Sequence, residues 1–351
     1  MPIVYLVSNN GKLTKNGSVL LYSDYLGNIT KLIPEKLETL IVIGRLEISG
    51  PALFLLLERK ISVSFFYKNG KYNGQLVFDD PKNVFLRHKQ HLLYENQEFV
   101  VQTAKDIVRG KLHNEYLYLQ RIGRKINKVW FDNEIAVFSR FRDSLEVATT
   151  IEAIRGIEGV SAKLYFSLLG NNIDCKWTQF SKRTKNPPRD AVNSVLSFVY
   201  TVLANKVYRA LCETGLDSAV GSLHALTYGR NSLVFDLVEE YRTPIADALT
   251  CAMFNQRVLN AEDFHICTSD ESIEEGPEVV QIDKSDFPGV YLTENGMKKV
   301  IQSLERKLEQ EHMYLFLCKE LSYNKIITAQ ANLYKQLVGG FIDHYQPMVI
   351  K

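Results

Sequence analysis

The sequence predicts an α+β protein with two domains, a small N-terminal β domain over residues 1–80 and a large all-α C-terminal domain over residues 81–351. Two observations carry this prediction. The first eighty residues contain short β-rich runs separated by Asn-Gly dipeptides, which favour tight hairpin turns. From Pro81 onward, apolar residues recur at three- and four-residue steps and glycine and proline become sparse, as in helices. A chain of 351 residues also exceeds the usual size of a single core.

The predicted elements of the N-terminal domain are strands with one helix among them. The strands span residues 3–7, 19–22, 39–43, 61–67 and 75–78, and the helix spans residues 50–58. Tight turns are expected at Asn10-Gly11, Asn16-Gly17, Asn69-Gly70 and Asn73-Gly74. The junction with the second domain is expected near residues 79–83.

The predicted elements of the C-terminal domain are helices throughout. They span residues 144–156, 157–169, 191–214, 232–242, 244–258 and, with one break, 295–339. Pro244 is expected to restart a helix with Thr243 as its cap. Residues 269–277 are expected to form a mobile acidic loop.

Charge is unevenly distributed, although the formal net charge is only +2. Residues 105–128 contain seven basic side chains against two acids, and residues 176–189 contain five basic side chains and no acid. Residues 270–286 are strongly acidic. The protein is therefore expected to be electrically polarised, with local surfaces that attract phosphate groups.

The five cysteines are widely spaced and include no C-x-x-C pair, which indicates neither a disulfide framework nor a zinc site. We also find no secretion signal and no uncharged apolar run long enough to span a bilayer. These features predict a cytoplasmic location.

Four ionisable side chains stand in otherwise apolar sequence of the helical region: Glu158, His224, Asp236 and Glu239. An unpaired carboxylate is costly to bury, so several at core-facing positions beside a histidine suggest that a cation brings them together. Oxygen and imidazole ligands without thiolate favour a hard divalent ion such as Mg²⁺ or Mn²⁺.

Each of these residues also has an ordinary structural interpretation. Glu158 could form a salt bridge to an arginine such as Arg155, and His224 could be a satisfied hydrogen-bonding residue in a loop. Asp236 with Glu239 and Glu240 could form a solvated acidic face, and Asp247 adds another acid near the same surface.

A further pattern lies where a loop enters a long helix. The run from Phe180 to Arg189 contains Lys182, Arg183 and Lys185 and ends in a double proline. On the following helix, Asn193 and Ser197 lie one turn apart, where they could bond to backbone or to phosphate.

Taken together, these segments resemble one family, the CRISPR-associated endonuclease and integrase known as Cas family one. The resemblance rests on Arg155-Gly-Ile-Glu158-Gly, the Asn-Pro-Pro-x-Asp-x-x-Asn-x-x-Leu-Ser-Phe-x-Tyr run, Gly221-Ser-Leu-His224 and Asp236-Leu-Val-Glu239-Glu-Tyr-Arg, in the same order. It extends over nearly the whole chain. In two respects the sequence departs from many members, which have Asp at position 239 and place a proline directly after the arginine.

The resemblance implies the site and the reaction. Glu158, His224 and Glu239 occupy metal-ligand positions and Asp236 the neighbouring acidic position, with Mg²⁺ or Mn²⁺ as cofactor. The implied activity inserts foreign DNA fragments as new spacers into a CRISPR array, through attack of a 3′-hydroxyl on phosphodiesters of the repeat. Whether one or two ions act, and whether His224 is a ligand or a general acid, stays open.

The resemblance also implies the partners. The helical domain is expected to be catalytic and to bind DNA through Lys182, Arg183, Lys185, Arg189, Asn193 and Arg242, with further contacts from the basic stretch 105–128. The β domain is expected to form a homodimer, and two such dimers are expected to flank a dimer of a small ferredoxin-like partner in a heterohexamer. Two alternatives remain, a metal-dependent nuclease for branched DNA and a noncatalytic DNA-binding scaffold.

Overall fold

The computed structural model describes residues 3–68, 72–76, 83–267 and 289–350. The chain divides into two compact units, Met1–Asp80 and Pro81–Lys351. The first is built on a β-sheet and the second is mostly helical, which confirms the predicted order of the two regions. The expected turn at Asn69-Gly70 and the expected loop at 269–277 lie outside the described residues.

A six-stranded sheet with strand order β3-β2-β1-β4-β5-β6 forms the first unit. Its strands are β1 Ile3–Asn16, β2 Val19–Ser23, β3 Ile29–Leu32, β4 Thr39–Ile48, β5 Ser62–Phe66 and β6 Tyr72–Leu76. Strand β4 pairs in parallel with β1 and β5, and helix α1 (Gly50–Glu58) connects β4 to β5. Buried side chains such as Leu13, Leu40 and Leu56 form the core of this unit.

Two of the expected turns of this unit are wrong. Strand β1 continues through Asn10-Gly11, where its register with β4 shifts, and Asn73-Gly74 lies inside β6. The Asn16-Gly17 hairpin is confirmed, because Asn16 pairs with Val19 across it. Strand pairing therefore overrides the local turn preference of the dipeptide where a neighbouring strand is available.

Gly44 in β4 has a φ of +97°, and a Cβ built there would lie 2.1 Å from the backbone oxygen of Ser8. We expect Gly44→Ala to lower the free energy of unfolding by about 2–3 kcal/mol, because both the left-handed backbone and the clash oppose a side chain. Gly17 has a φ of +60° with no atom within 4 Å of its Cβ position, so Gly17→Ala is the matched control and should cost about 1 kcal/mol. Urea denaturation of both variants measures the difference, and equal costs would contradict the role of the Ser8 contact.

Helices build most of the second unit. They are α2 Val84–Glu95, α3 Gln97–Ile126, α4 Val129–Val147, α5 Ile151–Leu169, α6 Ala191–Thr214, α7 Ser232–Tyr241, α8 Ala248–Asn255, α9 Glu294–Leu308 and α10 Tyr323–Gly339. Helix α3 packs against α4, α5 and α7, and α6 packs against α7 and α10. The charged residues of interest are carried by α3, α5, α7 and the loop between α6 and α7.

The sequence predicted an all-α second unit, whereas the structure also contains short strands there. Two short antiparallel pairs are present, β7 Phe264–Cys267 with β8 Gly289–Leu292, and β9 Glu311–Tyr314 with β10 Lys319–Ser322. The second pair is the break expected within residues 295–339. Strands of four residues are too short to leave a clear period in the sequence.

Two helix boundaries also differ from expectation. The predicted helix at 144–156 straddles the gap between α4 and α5, where the Thr150 hydroxyl caps α5 by accepting a hydrogen bond from Ala153 N at 3.2 Å. Pro244 does not restart a helix. A π-helical turn, Arg242–Asp247, joins α7 directly to α8. In the part of the chain that the structure describes, no helix combines the length and apolar character needed to cross a membrane.

Candidate metal centre

A buried lysine brings together two of the predicted carboxylates. Lys111, from the middle of α3, donates a hydrogen bond to Glu158 on α5, and its Nζ lies 2.8 Å from Glu239 Oε2 on α7. The lysine side chain is 3% exposed, Glu239 is 2% exposed and Glu158 is 27% exposed. Glu239 and Lys111 therefore form the floor of the cluster, and Glu158 lies at its rim.

The salt bridge of Glu158 is thus to a lysine and not to Arg155, the partner considered from the sequence. Arg155 lies on the same helix as Glu158, and its Nε donates a hydrogen bond of 2.6 Å to Leu223 O. That contact fastens α5 to the loop that carries His224.

Glu239 is ionised by its neighbours in spite of its burial. Burial opposes the charge, but Arg242, 3.0 Å away, and Lys111 outweigh it and hold the pKa of Glu239 at about 2. Among the described residues, Glu239 Oε2 accepts no hydrogen bond of regular geometry. Its contact with Lys111 Nζ at 2.8 Å is an ion pair, so this buried carboxylate already holds a cation.

His224 is held by Asp236, the second predicted pair. His224 Nδ1 lies 2.7 Å from Asp236 Oδ1, and the carboxylate is fully buried. It also accepts hydrogen bonds from the backbone N–H groups of Ser222, Leu223 and His224 at 2.6, 2.9 and 2.9 Å. Nδ1 is thereby fixed against the carboxylate, and Nε2 is the ring nitrogen that does not face Asp236.

Gly221 allows this loop to approach α7. A Cβ at this position would lie 2.6 Å from Asp236 Oδ2 and 2.8 Å from Leu233 N. The Gly-Ser-Leu-His segment is therefore fixed by the same carboxylate that orients the imidazole.

The three acids of α7 do not share one face or one cation. Asp236 faces the His224 loop, and Glu239 faces Lys111 and Arg242. Glu240 is buried among Gln330, Tyr345 and Met348, which donate hydrogen bonds to it. The interpretation of these residues as a solvated acidic face is wrong, since each is buried with its own partners.

Two more buried acids lie near the cluster. Asp247 accepts hydrogen bonds from Tyr165, at 2.9 Å, and from Tyr200, and burial raises its pKa to about 6. It is a buried bridge between helices and not the surface acid expected. Glu115 is 2% exposed, one turn after Lys111 on α3, and burial raises its pKa to about 8.

Asn193 has a structural position in place of the expected phosphate contact. It is fully buried, and its Oδ1 accepts hydrogen bonds from Thr184 N and Arg183 Nη1 at 2.8 and 2.9 Å. Its Nδ2 donates to Lys182 O and to Asp190 Oδ2 at 2.9 and 2.6 Å. Because the amide is fully used, Asn193 shapes the loop that carries the basic residues.

Arg183 and Arg242 are also held inside this part of the protein. Their guanidinium carbons lie 5.3 and 4.9 Å from the centre of the Tyr200 ring. Arg183 also donates to Ser197 Oγ at 2.9 Å, and burial lowers its pKa. Arg242 thus adds positive charge beside Glu239, and Arg183 is held against Tyr200 and Ser197.

The remaining predicted DNA contacts differ in their exposure. Lys182, Lys185 and Arg189 are exposed on the loop before α6. In the stretch 105–128, Lys105 and Arg109 bond to Glu146, and Lys111 is buried. The other basic residues of that stretch are exposed: Arg121, Arg124, Lys125 and Lys128.

Comparison with known proteins identifies the family. Residues 4–306 match the family model described as CRISPR associated protein Cas1. The chain belongs to the Cas1 family. A CRISPR-associated endonuclease Cas1 of Thermus thermophilus is 28% identical to it, over 99% of this chain and 97% of that protein.

Solved structures share the fold of this Cas1-family chain. A casposase bound to integration product gives a TM-score of 0.83 at 19% identity, covering 100% of this chain and 95% of that chain. A chain of a Cas6-RT-Cas1–Cas2 complex gives a TM-score of 0.80 at 21% identity, covering 98% of this chain and 36% of that chain. The β-sheet unit followed by the helical unit is thus an arrangement found in these proteins.

The donor set of this Cas1-family chain suits a divalent ion. As the side chains stand, no three carboxylate, imidazole or thiol groups of the described residues are grouped to hold a metal. However, the carboxylate oxygens of Glu158 and Glu239 are hard ligands, the imidazole of His224 is a further nitrogen donor, and the Lys111 ammonium already bridges the two carboxylates. The residues therefore fit Mg²⁺ or Mn²⁺ once the ammonium moves away.

Proposed function

We propose that this chain is a divalent-metal-dependent DNA endonuclease and integrase that inserts foreign DNA fragments as new spacers into a CRISPR array. The family of the chain and the endonuclease names of its relatives support DNA phosphodiester chemistry. The fold shared with a casposase bound to integration product supports a joining reaction. The observation that carries the proposal is the convergence of Glu158 and Glu239 from separate helices on one cation position.

The proposed reaction exchanges one phosphodiester for another. The 3′-hydroxyl of the incoming fragment loses its proton and forms a bond to phosphorus, while the bond to the 3′-oxygen of the repeat strand breaks and that oxygen takes a proton. Mg²⁺ or Mn²⁺ held by Glu158, His224 and Glu239 would neutralise charge on the non-bridging oxygens. No covalent bond to the protein is needed.

The protein residues have separate roles in this scheme. Glu239 is the buried ligand kept ionised by Arg242, and Asp236 positions His224 without touching DNA. The side chains of Glu158 and His224 are 27% and 23% exposed, so the phosphodiester approaches from their side. We assign His224 as a ligand, because Asp236 holds Nδ1 and leaves Nε2 as the ring nitrogen able to bind a metal.

We further propose that the exposed Lys182, Lys185 and Arg189 hold DNA phosphates beside the site. Contacts of this kind carry little sequence information, which suits an enzyme that accepts arbitrary foreign DNA. The fold is shared with a chain of a Cas6-RT-Cas1–Cas2 complex, which supports assembly with a small CRISPR-associated partner. The homodimer through the β-sheet unit, the ferredoxin-like fold of the partner and the heterohexamer complete the proposal.

A branched DNA that mimics a half-joined fragment tests this function. With Mn²⁺ or Mg²⁺ we expect the wild-type protein to transfer the strand, so that the repeat strand is resealed and the fragment is released. With EDTA no product should form, because the carboxylates then hold no divalent ion. Gel analysis of strands labelled at separate ends distinguishes resealing from cleavage.

Each alternative function predicts a different outcome of the same assay. Predominant hydrolysis, seen as a shortened strand without resealing, would favour a nuclease for branched DNA. Equal DNA binding in EDTA and in Mn²⁺ with no product in either would favour a noncatalytic scaffold. A fragment ending in a 3′-deoxy sugar should bind normally and fail to join in the forward direction, since it has no nucleophile.

A further inference from the structure

The cation between the two proposed metal ligands belongs to the protein itself. Lys111 Nζ donates to Glu158 Oε1 and lies 2.8 Å from Glu239 Oε2, and the lysine is almost fully buried. An ammonium group hydrogen-bonds to carboxylate oxygens and a divalent ion coordinates them, so the two cations compete for this pair of side chains.

The two cations cannot occupy this position together. A divalent ion held by Glu158 and Glu239 would lie next to an ammonium that stayed in place, and like charges at such a distance repel strongly in a buried site. The Lys111 ammonium contacts both carboxylates through Nζ, at the position that the divalent ion would take. It must therefore move, still charged, when the metal enters.

Glu115 offers a second position for the ammonium. It follows Lys111 by four residues on α3, which places the two side chains on the same face one turn apart. Glu115 is 2% exposed, and among the described residues its Oε2 has no hydrogen-bond partner. A change of side-chain rotamer takes the Lys111 ammonium from Glu158 and Glu239 to Glu115 without moving the helix. Burial raises the pKa of Glu115 to about 8, but the approaching ammonium lowers it and so favours the ionised carboxylate.

We propose that Lys111 is an internal counter-ion that contacts Glu158 and Glu239 in the metal-free protein and transfers to Glu115 when a divalent ion binds. This inference rests on the proposed function, because it requires the metal centre. In the metal-free protein the lysine prevents two neighbouring carboxylates from facing each other without a cation. The free energy of metal binding is then the difference between the free energies with which the two carboxylates bind the divalent ion and the ammonium.

Titration of the full-length chain with Mn²⁺, followed by the electron paramagnetic resonance signal of free Mn²⁺, tests the proposal without an activity assay. Lys111→Met should bind Mn²⁺ about tenfold more tightly than wild type, because no ammonium has to be displaced. Glu115→Gln should bind it several-fold more weakly, and this loss should disappear in the Lys111→Met background. Lys206→Met is the matched control, a buried lysine 3.1 Å from Glu305 on α9, and should leave Mn²⁺ affinity unchanged.

Thermal unfolding gives a second readout. Metal-free Lys111→Met should melt below wild type, since its two carboxylates lose their shared cation, and Mn²⁺ should raise its melting temperature more than that of wild type. If this variant does not fold without metal, Lys111→Gln, which keeps a hydrogen-bond donor, replaces it in both measurements.

The outcomes separate this inference from the proposed function. Mn²⁺ affinity that Glu239→Gln leaves unchanged would place the ion elsewhere and overturn both. Affinity that Glu239→Gln abolishes but Lys111→Met or Lys111→Gln fails to increase would overturn the counter-ion alone. A Glu115→Gln effect that persists in the Lys111→Met background would overturn the transfer to Glu115.

Discussion

Glu158→Gln should lower the rate of DNA strand transfer by at least about 100-fold while the protein stays folded. The substitution keeps the size of the side chain and removes one negative charge from the proposed metal centre. Because Glu158 is 27% exposed and Lys111 keeps its contact with Glu239, the cost in stability should be small. Single-turnover transfer on the branched DNA, together with a thermal melt of the same sample, measures both effects.

Glu240→Gln is the control for this variant. Glu240 is adjacent to Glu239 on α7 and is 1% exposed, but it accepts hydrogen bonds from Gln330 and Tyr345, each at 2.8 Å, away from Lys111. An amide in its place turns one acceptor into a donor, so the free energy of unfolding should fall by about 1–3 kcal/mol. Strand transfer below the melting temperature should be close to that of wild type. A loss as large as that of Glu158→Gln would mean that the assay follows the packing of α7 and not a ligand.

Asp236→Asn should reduce Mn²⁺ affinity by about 10- to 100-fold and strand transfer by at least about 100-fold. The carboxylate accepts four hydrogen bonds, from His224 Nδ1 and from three backbone N–H groups. An asparagine has one acceptor oxygen, so its amide nitrogen would face N–H donors and the imidazole would lose its fixed orientation. Mn²⁺ titration and single-turnover transfer of the purified variant measure the two losses.

Asp263→Asn separates this effect from simple loss of a buried acid. Asp263 is 1% exposed and accepts hydrogen bonds from Asn260 N, Asn295 Nδ2 and Lys299 Nζ at 3.0, 2.9 and 2.7 Å, at the start of α9. Both Asp263→Asn and Asp236→Asn should lower the free energy of unfolding by about 1–3 kcal/mol. Asp263→Asn should change Mn²⁺ affinity little. Equal metal affinities for the two variants would remove the positioning role from Asp236.

The sequence was sufficient to predict elements with a long and regular period. Helix α6 has the predicted limits, and α7 ends one residue before the predicted limit. The order of a sheet region and a helical region also followed from the change in period near Pro81. The short strands β7 to β10 and the π-helical turn were missed, because few residues contribute to each and their pairing partners decide them.

The sequence indicated which acidic residues and which histidine belong to the candidate site, but it did not indicate the basic side chains that contact them. Lys111 counted as part of a basic surface, although it lies on the apolar stripe formed by Ile107 and Leu119 with Glu115 between them. The opposite charges of Lys111 and Glu115 on this apolar stripe could have indicated a buried ion pair or a site. Which carboxylates the lysine would contact was not predictable, since the crossing of α3 with α5 and α7 sets those pairs.

Asn193 and Arg242 were predicted as DNA contacts, but the structure shows both side chains held by other residues of the protein. Both residue types commonly bind phosphate, and both sit in segments that resemble a nucleic-acid-binding family. The structure uses the amide of Asn193 within a loop and sets Arg242 against Glu239 and the Tyr200 ring. Residue type alone therefore did not show that protein partners hold both of these side chains.

The π-helical turn Arg242–Asp247 makes the site depend on the number of residues as well as on their identity. Each residue added to or removed from a helix rotates everything beyond it by about 100°. The π-helical turn accommodates one residue more than an α-helical turn, so an ordinary α-helix through the same six residues would rotate Asp247 away from the two tyrosines that bridge α5 and α6. The number of residues between Glu239 and Asp247 therefore helps to set the positions of both acids.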